Sequence, residues 1–225
     1  QTCALPILAY KVQHPETKIN HAVLHAGDEG SGKDTFWAPF LWAVCGPHLK
    51  NRGIMDNNSV NSQWGYQLES EILIINELKE PDAATRRQLA NQLKPIIAAP
   101  PEMLPINRKG LHPYMMANRL SVLAFSNDPV PISLASQDRR WFCVWSTAPR
   151  MDPSVAQEIW KWYKTGGFEA IARWFYQRDV SKFTHPDASL GGVRQADQNL
   201  VVSHREARLF LQFTVQAIGE QRARG

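Results

Sequence analysis

The run His25-Ala26-Gly27-Asp28-Glu29-Gly30-Ser31-Gly32-Lys33-Asp34 places three glycines ahead of a lysine, the residue types needed to wrap a phosphate chain. Glycine lets the backbone turn its N–H groups toward an anion, and Lys33 carries a cation on a flexible stem for the β and γ oxygens. An apolar run, Ala22-Val23-Leu24, precedes the segment, and a helix-like run from Phe36 to Cys45, stopped by Gly46, follows it. In that strand–turn–helix context the loop amides and the positive end of the helix bind phosphate together. The candidate nucleotide-binding residues are therefore Gly27, Asp28, Glu29, Gly30, Ser31, Gly32, Lys33, Asp34 and Thr35. The hydroxyl residue usual after the lysine is replaced by Asp34, and a mere tight turn is the alternative for so imperfect a match.

Three more segments could serve the same chemistry, each with a plainer reading beside it. The β-branched run Ile72-Leu73-Ile74-Ile75 ends in Asn76-Glu77. In phosphate-loop ATPases a buried strand ends in two acids beside the loop, the first holding Mg²⁺ and the second polarising the attacking water. Here the first position is an amide, Asn76, while Glu77 is retained; otherwise this is a core strand reaching solvent at a glutamate. The strand candidate Leu120 to Phe125 ends in Ser126-Asn127-Asp128, where Asn127 could bond a γ-phosphate and align a water, or simply open a turn. Finally, Gln137-Asp138-Arg139-Arg140-Trp141 offers two guanidinium groups. Supplied from a neighbouring subunit, Arg139 or Arg140 would neutralise charge during phosphoryl transfer; the alternative is a salt-bridged surface turn.

The elements that must position these residues alternate in type. Strands are expected over 22–26, 72–75, 120–125 and 141–145, with helices over 32–45 and 82–98, the latter through Leu89, Leu93 and Ile97 on one face. Pro39 should kink or shorten the first of these helices. Residues 8–20 read as a short lead-in, 50–64 as loop and 106–112 as hairpin-like. Ile159, Trp162, Tyr163, Ile171, Trp174 and Phe175 recur at helical steps over 154–178; 181–203 is turn-rich, and 204–223 a final amphipathic helix. Trp160, Trp162 and Trp174 fall on the helical pattern and Trp141 and Trp145 on a strand one, so most of the tryptophans are expected in the core. The sum is an α/β, three-layer P-loop core with a parallel central sheet and a helical C-terminal segment. Its expected divisions are a lead-in at 1–20 from a missing N-terminal region, a core at 21–148 and helices at 149–225.

At 225 residues, 44% apolar and 20% charged, the chain is of ordinary globular composition and has no apolar run long enough for a spanning helix. No membrane role is expected. Cys3, Cys45 and Cys143 lie far apart, which disfavours a disulfide framework or a zinc site and suits a reducing cytoplasm. A net charge of +4 permits a polyanionic partner.

Taken in order, the glycine loop, Ile74-Ile75-Asn76-Glu77, Arg108-Lys109-Gly110 with Asn118-Arg119, Phe125-Ser126-Asn127 and Asp138-Arg139-Arg140-Trp141 resemble the helicase part of phage and plasmid primase–helicases. These are superfamily 3 helicases within the AAA+ ATPases, similar to the poxvirus primase–helicase, and the likeness spans roughly residues 9–146. The resemblance implies ATP and Mg²⁺ as cofactors, Lys33 and Glu77 in hydrolysis, Asn127 as γ-phosphate sensor and an arginine acting between subunits of a hexameric ring. It further implies single-stranded DNA gripped by a basic hairpin at Arg108, Lys109 and His112, a primase or polymerase part on the N-terminal side, and a bacterial or phage-infected cytoplasm. A solvated charged turn is the alternative for the hairpin residues. A P-loop kinase, a nucleotide-binding assembly module, or a chance loop on an unrelated α/β protein are the alternatives for the whole.

Asp34 and Asn76 exchange the charges expected of them, and both fall near one metal position. With Glu77 they form the candidate metal ligands, Asp34 restoring the negative charge that Asn76 lacks. On this hypothesis Asp34→Thr alone depresses Mg²⁺-dependent turnover, and adding Asn76→Asp recovers it. Unchanged Mg²⁺ dependence in Asp34→Thr removes the idea.

Overall fold

Side chains along each central strand alternate between two faces, and both faces are apolar, so layers are required on either side of the sheet. The computed structural model describes residues 4–56, 65–78, 82–134, 138 and 140–181. In chain order these form helix α1 (Ala4–Gln13), strand β1 (Ala22–Gly27), helix α2 (Lys33–Cys45), strand β2 (Arg52–Met55) and a 3-10 turn at Tyr66–Leu68. Strand β3 (Ile72–Ile75), helix α3 (Ala83–Ile97), strands β4 (Met103–Ile106), β5 (Tyr114–Ala117), β6 (Ser121–Ser126) and β7 (Trp141–Ser146) follow. Helix α4 (Pro153–Trp162), a π turn at Tyr163–Gly167 and helix α5 (Phe168–Gln177) complete them. The helix expected at 204–223 lies outside the described residues, as does Arg139.

Five strands make one parallel sheet in the order β2-β3-β6-β1-β7, and β4 with β5 makes a separate antiparallel ribbon. Val23, Ile72, Ile74, Leu123, Phe125 and Phe142 point to one face, where α1, α2, α4 and α5 cover them. Leu24, Leu73, Ile75, Val122, Ala124 and Trp141 point to the other, against α3 and the β4–β5 ribbon. The three-layer α/β expectation thus matches the described residues, and no helix among them is long and apolar enough to cross a membrane.

Two differences from the sequence expectations have physical causes. The lead-in contains a helix: Leu8, Ala9 and Val12 of α1 are buried, and Lys11, 1% exposed, donates to the Pro15 and Arg119 carbonyls and pairs with Glu71 at 3.2 Å. A lysine at the buried face breaks the apolar pattern that would have announced this helix. Strand β2 falls in a segment expected to be loop. It is four residues long with Gly53 inside, because a Cβ there would stand 2.1 Å from the Gln67 carbonyl oxygen. Of the tryptophans on the helical and strand patterns, Trp141 and Trp162 are in the core, Trp145 and Trp174 are half-buried, and Trp160 is 38% exposed. Packing also continues across residue 148, since Ile159, Trp162, Ile171 and Phe175 share one cluster with Leu8, Trp37 and Phe40.

Pro39 does sit inside α2, buried, in an uninterrupted helix. Proline lacks the N–H that would have bonded the carbonyl four residues back, at Thr35. That carbonyl accepts instead from the hydroxyl of Tyr163, at 3.1 Å. Burial raises the Tyr163 pKa, so the donor keeps its proton. The orphaned acceptor thereby becomes a tie between α2 and the turn after α4. Tyr163→Phe should cost about 1–2 kcal/mol, the penalty for stranding a carbonyl. The loss should shrink in a Pro39→Ala background, where the helix can make its own bond. Urea unfolding of the four variants in the cycle measures this coupling.

Candidate active site

The first turn of α2 begins without a cap. Gly32, at its N-cap, has φ 85° and no side-chain bond, and the first helical bond runs from Phe36 N–H to the Gly32 carbonyl at 2.9 Å. The N–H groups of Lys33, Asp34 and Thr35 therefore have no acceptor within the helix, which makes the turn ready for an anion. Gly30, at φ 75°, gives the loop its second left-handed residue. A cleft of about 560 Å³ opens here, lined by the loop, Asn76, Glu77, Ser126, Asn127, Arg150, Met151, Pro153 and Ala156.

Strand order brings the separated sequence segments together. Because β6 lies between β1 and β3, and all three run parallel, the residues after each strand emerge at one edge of the sheet. Lys33 Nζ reaches Asn127 Oδ1 at 2.8 Å and also donates to the Gly27 and Asp28 carbonyls at 2.7 and 2.9 Å. Those acceptors match the three protons of an ammonium. Burial lowers the Lys33 pKa, while Asp34, Asp28 and Glu29 raise it. Since lysine only donates, Asn127 presents its oxygen and keeps its NH₂ as a donor. The turn carrying Asn127 is built by its neighbours: Ser126 Oγ donates to the Leu78 carbonyl at 2.6 Å and accepts from the Asp128 N–H at 2.9 Å.

Glu77 is exposed and adopts φ 54°, a left-handed conformation rare for glutamate. Its neighbours impose it. The Asn76 N–H bonds the Met55 carbonyl at 2.9 Å, and the Leu78 N–H bonds the Phe125 carbonyl at 2.8 Å. Leu78 is also fully buried. With both sides pinned, the carboxylate is thrust into the cleft at a backbone cost of about 1–2 kcal/mol. Asp34 is exposed and Asn76 half-buried in the same cleft. No group of three His, Cys, Asp or Glu residues among the described ones could hold a metal alone. Two carboxylates and an amide oxygen do fit a magnesium ion that takes its remaining ligands from phosphate and water.

The other expected residues are turned away from the cleft or lie outside it. Thr35 lines the cleft, but its hydroxyl accepts from the Trp160 indole at 3.3 Å and so faces α4. Arg140 stands at the opposite edge of the sheet, since Trp141 pairs with Ala22 and Ser146 with Gly27. There it pairs with Asp138 at 3.0 Å, which matches the salt-bridged-turn alternative and keeps it from its own phosphate loop. Arg108, Lys109 and His112 are all exposed in the β4–β5 turn. Arg108 is not wholly free, because Glu69 pairs with it at 3.4 Å and also accepts from the Tyr114 hydroxyl. Asn118, buried at 4%, donates to the Pro95, Ile96 and Pro101 carbonyls and is a structural clamp beneath this ribbon.

Two participants carried no sequence signal of their own. His25 of β1 accepts the Trp37 indole N–H at 2.8 Å, joining strand to helix behind the loop. Burial, aided by the Lys33 charge, lowers its pKa to about 4, so the imidazole is neutral. Arg150 reaches the cleft only because the chain after β7 returns over the loop, where the Met151 N–H bonds the Gly30 carbonyl at 2.8 Å.

A family model described as a family of unknown function, DUF5906, matches residues 25–140, just over half of the chain. The chain belongs to that family. The matched stretch of this DUF5906 member runs from the glycine loop to the arginine pair. A comparison with curated proteins gives no match. Among solved structures, the apo C-terminal region of NrS-1 overlaps 79% of this chain and 42% of its own length, with TM-score 0.67 and 21% identity. A second, A-form apo structure of that region covers 80% and 42%, with TM-score 0.61 and 22% identity. The chain therefore spans about two-fifths of those structures, and the likeness is one of fold. A JCV helicase overlaps 78% of this chain and 66% of its own, at TM-score 0.40 and 10% identity, which carries no argument.

The strained Glu77 generates a test of the site's geometry. Glycine is at ease at φ 54°, so Glu77→Gly should raise stability by about 0.5–1 kcal/mol in urea unfolding. A loss of stability instead would mean that the carboxylate itself stabilises the fold.

Proposed function

We propose that this DUF5906 chain is the motor part of a DNA helicase, coupling ATP hydrolysis to movement along single-stranded DNA. The observation that carries the reading is the 2.8 Å bond between Lys33 Nζ and Asn127 Oδ1 in a cleft that Glu77 also lines. Cation, sensor amide and carboxylate come from the segments that follow three strands, and their convergence is what hydrolysis of a terminal phosphate needs.

In this reading Lys33 leaves the Gly27 and Asp28 carbonyls and moves to the β and γ oxygens. The amides of Gly27 to Thr35 hold the phosphate chain. Glu77 accepts the proton of the attacking water, and Asn127 bonds the γ-phosphate. When bound, a magnesium ion would shield the phosphate charge, with Asp34, Asn76 and Glu77 as the residues to hold it. Arg140, at the far sheet edge, suits a neighbouring subunit's site better than its own, and Arg139 stays the alternative for that role. That demands a heterologous ring, proposed as a hexamer. Lys109, His112 and the partly engaged Arg108 would contact DNA phosphates without reading bases. A primase or polymerase part N-terminal to this chain belongs to the same proposal.

Asn76, in place of a carboxylate, favours a second reading: an assembly module that binds nucleotide without turning it over. ATPase assays with and without single-stranded DNA, alongside particle mass in ATP and Mg²⁺, separate the two. Helicase action predicts DNA-stimulated turnover, loss of about 100-fold or more in Lys33→Ala, and a large ring. Nucleotide binding with no turnover at any DNA concentration favours the module.

A further inference from the structure

Lys33 is the expected cation of the phosphate loop, yet its three donors are matched by three protein acceptors. The cleft lining holds three carboxylates, Glu29, Asp34 and Glu77, against the two cations Lys33 and Arg150. Arg150 is exposed and, among the described residues, makes no ion pair. Its stem lies across Gly30: a Cβ on that glycine would meet Arg150 Cγ at 2.9 Å and Nε at 3.2 Å. The adjacent Met151 N–H holds the segment down on the Gly30 carbonyl. The missing side chain at Gly30 thus serves two purposes, a left-handed turn and a slot for an arginine.

We infer that Arg150 is a polyphosphate-binding residue acting in its own subunit, a clamp that receives the nucleotide's phosphate chain over the middle of the loop. The inference rests on the nucleotide-binding reading of this cleft. A guanidinium offers paired donors suited to two phosphate oxygens, and here its backbone is already fixed, so little order is lost on binding. It also offsets a cleft whose carboxylates would otherwise repel a triphosphate. Because the contact is made in the ground state, it should appear in affinity more than in turnover.

The test is equilibrium binding of ATP and ADP, with steady-state ATPase, for the wild type, Arg150→Met, Arg150→Lys, Lys33→Ala and Arg173→Met as an exposed surface control. Methionine keeps the stem over Gly30 and removes the charge. The expected result is a rise of about 10- to 100-fold in Kd for both nucleotides in Arg150→Met, equivalent to one charge-assisted contact. Arg150→Lys should recover part of it, kcat at saturation should stay within about threefold, and added salt should narrow the gap to wild type. A Kd within about twofold of wild type in Arg150→Met, while Lys33→Ala loses binding, overturns the clamp and leaves the nucleotide reading intact. A fall in affinity accompanied by a lower melting temperature of the nucleotide-free protein also overturns it, making Arg150 a structural strap. If the wild type binds no nucleotide, both readings fall.

Discussion

The constraint on which the rest depends is the parallel, in-register placement of β6 between β1 and β3. Ala26 pairs with Ser126 and Ile75 with Ala124, so three strands end at one edge of the sheet, within three residues of one another in register. Nothing local in Gly27, Asn76 or Asn127 would bring them together. What does so is the double-sided apolar alternation of the strands, which buries both faces and admits no one-residue slip without turning each strand's inward side chains to the wrong layer. The cleft is the polar margin of that sheet.

Around this edge, polar groups displaced from regular structure are put to use. The carbonyl freed by Pro39 is taken by Tyr163, the uncapped start of α2 points at the cleft, and Glu77 is bent outward because both neighbours are pinned. Each departs from the local rule for a helix or strand. Their concentration around one 560 Å³ cleft is the pattern expected of a site whose geometry is over-determined by its surroundings. The same logic links the helices beyond β7 to the phosphate loop. Tyr163 and Trp160 both bond Thr35, and Met151 bonds Gly30, so a shift of α4 would be felt directly at the loop.

Charge is arranged with equal economy. Buried Lys11 pairs with Glu71 at the opposite ends of the strands and buried His25 is neutral behind the phosphate loop, while the cleft keeps Lys33 and Arg150 accessible among its carboxylates. Arg140 illustrates the limit of motif reading. Its position before β7 reads correctly in the sequence, yet the register of β7 against β1 carries it a full strand away from its own loop.

By itself the sequence determined the strands that are apolar throughout, the helix start after Gly32 and the residue types gathered at strand ends, because period, glycine placement and β-branching are local properties. Ile72–Ile75 and Ser121–Ser126 were legible for that reason, and so was the order of Lys33, Glu77 and Asn127 along the chain. Tertiary structure alone decided that α1 joins the core through a buried lysine, that Arg52–Met55 becomes a strand, that Trp160 is exposed and that Arg150 lies over Gly30. These outcomes follow from contacts between segments far apart in sequence, whose partners exist only once the sheet has assembled.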